Sequence, residues 1–330
     1  MKVVRLHGYR DLRLSQEPLP TPGSGEVLVK IGAMGICGSD LHWFAEAGIG
    51  DARLNRPLVL GHELAGWTES GQLVAIDPCI PCGKCEYCLA DCPNLCPTQR
   101  FAGHGKDDGG LREYLAWPEE CLFPLPEGFS AADGAMLEPL GVALYSLDLS
   151  RIQRGETVGI FGLGPIGQLL AQLVVHATDG LVVATEKLLH RLEMVSSLGV
   201  RALPANGWEA SVIPEMTKGR GLDVVIEVAG DQGAVNAALA VVRPGGRVVL
   251  AGIPSEDRTS FVASVARRKE LNVQWVRRMK NTYPRAIELV KTGQVDVRSV
   301  VTHSFPLEQA QQAFEVAARR EGMKVVVTLG

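Results

Sequence analysis

The sequence has no excess of positive charge. Its 330 residues carry 33 Lys and Arg against 37 Asp and Glu, a formal net charge of −4, which argues against nucleic acid as a partner. No apolar run reaches the length of a membrane span, so no membrane partner is expected. Met1 and Lys2 lead straight into the strand-like Val3-Val4-Arg5-Leu6, so no secretory leader is expected. The expected compartment is therefore the cytoplasm, where thiols stay reduced. Neither an internal repeat nor a low-complexity linker is present. What remains is a chain of ordinary hydrophobic content, 46%, long enough for two domains with separate cores.

The most informative stretch is 157–168, T-V-G-I-F-G-L-G-P-I-G-Q. Gly162, Gly164 and Gly167, with Pro165 and Ile166 between the last two, have the G-x-G-x-x-G spacing. The first glycine permits a tight turn out of a strand, and the second lets backbone approach a pyrophosphate. The third lets a helix pack closely on the sheet with its N-terminus toward the phosphates. Alone this spacing is weak, but its context strengthens it. Residues 158–161 read as a buried strand, 165–175 as an apolar helix, and 181–185 as a second buried strand ending at Glu186. That acid lies 19 residues beyond Gly167, where a ribose-binding carboxylate belongs. The segment reads as a dinucleotide site.

Six of the eight cysteines fall between Cys79 and Cys96. In a reducing compartment such a cluster points to metal rather than disulfides. Cys79, Cys82, Cys85 and Cys88 follow one another at C-x2-C spacing, with Cys92 and Cys96 behind. No histidine lies among them, so a closed site of four thiolates is expected, and spacing leaves open which four bind. A second set precedes it: Cys37, Ser39, Asp40 and His42, then Gly61-His62-Glu63. Thiolate, imidazole and carboxylate together suit zinc. The plainer alternative is a buried thiol and a hydrogen-bonded histidine.

The pattern from 157 to 276 alternates strand and helix, with strands at 158–161, 181–185, 223–228, 247–251 and 272–276. This is an α/β doubly wound sheet. Pro244-Gly245-Gly246 reads as a turn closing a helix before the fourth strand. Before this block the chain is strand-like over 1–35 and loop-rich over 101–140. After Arg278 it changes again, with helices near 283–291 and 307–320 and a last strand at 324–329.

The order C-G-S-D-x-H, G-H-E, the cysteine lobe and G-L-G-P-I-G resembles the zinc-containing medium-chain alcohol dehydrogenases over nearly the whole chain. Glu138-Pro139-Leu140-Gly141, the run from Arg278 to Pro284, and V-T-H-S-F-P-L-E at 301–308 are most similar to the polyol branch, the sorbitol and xylitol dehydrogenases. The resemblance implies a GroES-like, β-rich catalytic domain, 1–142 completed by 278–330, around a Rossmann domain at 143–277. It implies a catalytic zinc on Cys37, His62 and Glu63 with Glu138 at the position of a further ligand. Asp40 is implied as partner of the zinc histidine, and Ser39 and His42 as a proton relay. A structural zinc on Cys82, Cys85, Cys88 and Cys96 follows, as does NAD bound with Glu186, Arg191 and Arg278. The implied reaction moves hydride from a polyol or other secondary alcohol to NAD, in a homo-oligomer, a dimer or tetramer.

L-threonine 3-dehydrogenase is the rival enzyme reading, since it shares Glu-Pro-Leu-Gly. A non-catalytic dinucleotide-binding sensor or structural protein is the rival from another class, and intact Cys37, His62 and Glu63 oppose it. Lys187 and Arg191 also admit reading as a phosphate clamp for NADP, against the repulsion from Glu186. Three features depart from the polyol branch. Trp43 and Met279 stand where tyrosines are usual, and segment 66–77 is short.

Overall fold

The structure is a computed structural model that describes residues 1–329. Two compact units divide the chain. One is Met1–Gly141 with Lys280–Gly293 and the chain from Val297 onward; the other is Val142–Met279 with Gln294–Asp296. The short return at Gln294–Asp296 has no marker in the sequence. Gln172 holds it, its Oε1 accepting from Asp296 N at 2.7 Å and its Nε2 donating to Asp296 O at 3.1 Å.

The first unit is built on a seven-stranded sheet. Its order is Leu122–Pro124, Leu73–Ile76, Glu63–Thr68, Glu26–Gly35, Lys324–Thr328 and Val301–Pro306, with Tyr114–Pro118 also on Glu26–Gly35. Ten residues long, Glu26–Gly35 is the hub, and five consecutive buried residues from Ile31 to Gly35 mark its second half as interior. The C-terminal strand Lys324–Thr328 pairs antiparallel with that half, Val326 opposite Gly35. Residues almost three hundred positions apart in sequence thus share one core, with Val29, Met34, Phe44, Leu64, Phe314 and Val327 buried together. The shortened segment forms a tight hairpin. Glu63–Thr68 turns back into Leu73–Ile76 through Gly71 at φ +82°, and Thr68 N donates to Gln72 O. Gly32 has no room for a side chain, since a Cβ there would stand 2.3 Å from the Trp67 ring.

The second unit is a six-stranded, wholly parallel sheet in the order Arg201–Pro204, Val182–Glu186, Val158–Phe161, Leu222–Glu227, Val242–Leu250, Asn272–Trp275. Strand order reverses at Val158–Phe161, the switch point at which such sheets bind ligands. Every residue of Val158–Phe161, Val182–Glu186 and Leu222–Glu227 is buried, as strands covered on both faces require.

Several expectations need correction. Arg201–Pro204 is a strand that its short, proline-ended sequence concealed. Pro244-Gly245-Gly246 lies within Val242–Leu250 rather than before it, as an excursion that shifts register between Leu222 and Val224. Val301–Pro306 is also a strand; its alternate residues are exposed, so no continuous apolar run announces it. The helix anticipated over 307–320 begins as a 3-10 turn, Leu307–Gln309, and becomes α-helical at Ala310–Ala318. Among the described residues, no helix is long and apolar enough to cross a membrane.

Candidate active site and metal centres

Cys37 is the N-cap of the helix Gly38–Glu46, and Asp40 sits at its third position. Asp40 is buried and organises the site. Its Oδ2 accepts from Cys37 N at 3.0 Å, its Oδ1 accepts from Gly61 N at 3.2 Å, and Oδ1 lies 3.5 Å from His62 Nδ1. One carboxylate thus fixes the loop that carries Cys37, the glycine before His62, and the imidazole itself. His62 and Glu63 enter from the other side at the start of Glu63–Thr68, Glu63 paired with Gly35. Gly35 leaves room for this carboxylate, because a Cβ would stand 2.0 Å from Glu63 Oε2 and displace it.

Ligand atoms of Cys37, His62 and Glu63 all lie within 4.8 Å of one another. Glu138, at the start of the helix Leu137–Ser150, is not brought into that group. Its charge environment is nonetheless shared with the site. Burial pushes the Glu138 carboxyl up to about 7, His62 opposes that rise and Glu63 adds to it. The His62 ring is buried, which disfavours its cation, yet Asp40 and Cys37 outweigh burial and hold it well above the ordinary imidazole value. A metal bound there displaces a proton from the site.

Lys324 completes the cluster, and sequence patterning missed it. It is 2% exposed, and its ammonium donates to Glu63 Oε1 at 2.6 Å and to Ile36 O at 3.0 Å. Its Nζ also lies 2.5 Å from Glu63 Oε2. Burial disfavours this cation, but the charges of Glu63 and Cys37 more than offset that, and Lys324 is raised above its ordinary value. The only sequence signal is a lysine heading an otherwise apolar strand.

Ser39 Oγ lies 3.5 Å from His62 Nε2. His42, one helical turn on and 19% exposed in its side chain, contacts Glu46 Oε1 through Nδ1 at 3.0 Å. Aromatic rings line the same region. The Phe101 ring centroid lies 5.3 Å from that of His62, and Trp43, buried, meets the His104 ring edge-on at 5.4 Å.

The cysteine lobe separates its six thiols. Cys82, Cys85, Cys88 and Cys96 have their sulfurs within 4.8 Å of one another. Cys85 and Cys88 are 3.4 Å apart and Cys82 and Cys88 4.0 Å. Tetrahedral zinc with its usual Zn–S bond has an S···S edge of about 3.8 Å, so the spread fits that ion. Backbone amides of Lys84 and Cys85 donate to Cys82 and lower its thiol to about 6, as a metal thiolate requires. The other two are engaged elsewhere. Cys79 Sγ meets Gln99 Oε1 at 2.9 Å, and Cys92 Sγ receives Lys280 Nζ at 3.7 Å.

In the second unit, Gly162 adopts φ +101° at the end of Val158–Phe161, and Gly164 caps the helix Pro165–Ala177, with Pro165 as its first residue and Ile166 its second. A Cβ on Gly167 would stand 2.1 Å from Gly162 O, so helix and loop touch there. A Cβ on Gly164 would meet only Arg191 Nη1, at 3.6 Å, which leaves backbone open to an anion beside a guanidinium. This cradle fits a pyrophosphate. Glu186 is buried and bound to the loop. Oε2 accepts from Leu163 N at 2.8 Å, and Oε1 from Lys187 N at 2.8 Å and Leu188 N at 3.1 Å. It therefore caps the next segment and anchors the glycine loop together. Arg278 follows Asn272–Trp275 in left-handed backbone, φ +58°.

Residues 23–127 match the family model of the alcohol dehydrogenase GroES-like domain, and residues 165–292 that of the zinc-binding dehydrogenases. A sorbitol dehydrogenase of Bacillus subtilis is 33% identical over 342 residues, covering 99% of this chain and 97% of the relative. The chain belongs to the zinc-containing medium-chain alcohol dehydrogenases. Two solved members of this family superpose on it. An oxidoreductase of unknown specificity from Escherichia coli has a TM-score of 0.92 at 30% identity, covering 100% of this chain and 99% of that one. A zinc-binding dehydrogenase of Sinorhizobium meliloti, solved with NADP, has a TM-score of 0.89 at 29% identity, covering 99% and 98%. As a family member the chain is an oxidoreductase with a GroES-like and a Rossmann domain, and its relatives include polyol dehydrogenases.

Proposed function

We propose that this dehydrogenase oxidises a polyol or other secondary alcohol with NAD, using zinc on Cys37, His62 and Glu63. The observation that carries the reading is the convergence of those three donors within 4.8 Å, organised by Asp40. When bound, zinc supplies Lewis acidity toward a hydroxyl oxygen and the nicotinamide supplies a hydride acceptor. Ser39, 3.5 Å from His62 Nε2, is the group at hand to take the hydroxyl proton, and His42 with Glu46 leads it toward solvent. Phe101, its ring 5.3 Å from that of His62, supplies an apolar wall beside the ligand cluster.

Lys324 resolves a charge problem in that scheme. A thiolate and a carboxylate together cancel the charge of a divalent ion, leaving nothing to favour an anionic substrate oxygen. An ammonium 2.6 Å from Glu63 returns one positive charge to the cluster. Glu138, with its carboxyl pushed up to about 7 by burial, is held near the boundary between neutral and charged, and we assign it a position beside the zinc rather than on it. The structural zinc is assigned to Cys82, Cys85, Cys88 and Cys96.

The Arg191–Gly164 cradle supports dinucleotide pyrophosphate, and Glu186 beside it favours the ribose hydroxyls of NAD over the phosphate of NADP. A homo-oligomer is supported by the unpaired sheet edge Asn272–Trp275, where Trp275 is 58% exposed, and sedimentation reads its subunit number. The cytoplasm is supported by the cluster of Cys82, Cys85, Cys88 and Cys96, whose thiolates a reducing compartment preserves for metal.

The test is a panel of sorbitol, xylitol, simple secondary alcohols and L-threonine, followed by NADH appearance with NAD⁺. Turnover is expected with a polyol or secondary alcohol. Activity confined to L-threonine would replace this reading with the threonine dehydrogenase one.

A further inference from the structure

A second carboxylate stands at the cofactor edge of the parallel sheet. Asp231 is the N-cap of the helix Gln232–Val241, and its Oδ1 accepts from Ala234 N at 3.2 Å. Its Oδ2 lies 2.8 Å from Nζ of Lys187, the residue after Glu186. Lys187 in turn holds the Asp231 carboxyl below the usual carboxylate range.

Topology gives the contact its meaning. Lys187 leaves the strand Val182–Glu186, and Asp231 follows the strand Leu222–Glu227. These two strands flank Val158–Phe161 on opposite sides. The ion pair therefore bridges the end of the strand that feeds the glycine loop, directly beside the carboxylate that reads the ribose. The two side chains are 59% and 40% exposed, so the pair is weak in itself and the lysine is able to move. Asp231 is not, because its cap holds it in place.

We infer that Asp231 is a specificity-determining residue for the cofactor, which withholds Lys187 from the 2′-position. A 2′-phosphate brings about −1.5 to −2 charge at neutral pH. At this edge it approaches Glu186, and the adjacent Lys187 is already engaged by Asp231. If Lys187 swings to the phosphate, Asp231 is left behind as an unpaired anion beside it. Arg191 does not substitute, since its guanidinium borders Gly164 at the pyrophosphate cradle. The inference rests on the reading that Glu186 sets a preference for NAD.

The test is direct binding, independent of turnover. Fluorescence titration gives Kd for NADH and NADPH, and calorimetry gives Kd for 5′-AMP and adenosine 2′,5′-bisphosphate. The proteins are wild type, Asp231→Asn, Lys187→Ala and the double variant, each loaded with zinc. Asparagine still caps a helix, and Asp231→Ser, another capping residue, guards against a folding artefact. Asp231→Asn is expected to tighten NADPH and the bisphosphate roughly three- to ten-fold at low salt, with NADH and AMP within about two-fold. The gain should shrink at 0.5 M salt, because it is electrostatic. In the double variant it should disappear, since the released lysine is the agent. An unchanged ratio in both Asp231 variants, or a gain that survives loss of Lys187, overturns the inference. Tighter wild-type binding of NADPH than of NADH instead overturns the NAD reading, whatever Asp231→Asn does.

Discussion

At Glu63 a buried carboxylate and a buried ammonium face one another, and in the metal-free protein each compensates the charge of the other. Lys324 is 2% exposed and Glu63 1%. Removing one partner of such a pair costs about 3–5 kcal/mol, because the remaining charge is left uncompensated in a poorly solvated place. Lys324→Met is therefore expected to destabilise the metal-free protein by about that amount, measured by denaturant midpoint in chelator. Adding Glu63→Gln should recover most of it. A loss below about 1 kcal/mol for Lys324→Met alone would mean that water or a rotated Glu63 relieves the charge. The lysine was hidden in the sequence for a physical reason. Its strand reads K-V-V-V-T, and whether the first residue points inward is decided by the neighbour, Glu26–Gly35, nearly three hundred residues earlier. Local motifs were legible at this scale. Cys37, Asp40, His62 and Glu63 stand in two short segments, and the structure brings both segments to one place.

Elements differ in how much of their role is local. The cysteine lobe is nearly self-contained, since its four clustered sulfurs come from fifteen consecutive residues, 82–96. Spacing was enough to announce a metal, but not to exclude Cys79 and Cys92; that required seeing Gln99 and Lys280 beside them. A site with four thiolates has no open position for substrate. Cys85→Ser is thus expected to lower thermal stability while the polyol KM of the surviving protein changes little. Wild-type metal analysis should give about two zinc ions per chain. A content near one, with Cys82, Cys85, Cys88 and Cys96 all titratable by thiol reagent, would remove the lobe metal. The strands Arg201–Pro204 and Val301–Pro306 were not legible, because one is short and the other half exposed, and neither makes an apolar run. The glycine loop was legible because its glycines answer local steric demands, such as the 2.1 Å approach at Gly167. The Lys187–Asp231 pair joins residues 44 apart and had no sequence signature.

The whole molecule keeps its two chemistries on two units, with the metal-ligand clusters in one and the dinucleotide cradle in the other. The metal-bearing unit is discontinuous. Its sheet lacks an interior strand until Lys324–Thr328 is in place, so Glu63 gains the Lys324 ammonium only when that last strand has paired. The division also means that damage to the metal cluster should leave dinucleotide binding standing. That separation makes one measurement decisive: zinc content, NADH binding and NADH production from the best alcohol of the panel, taken together on wild type and on Cys37→Ser. If Cys37, His62 and Glu63 hold the working metal, Cys37→Ser loses one zinc per chain and all measurable turnover while its NADH Kd stays within about three-fold of wild type. Full turnover in Cys37→Ser protein shown to lack that zinc would contradict the account.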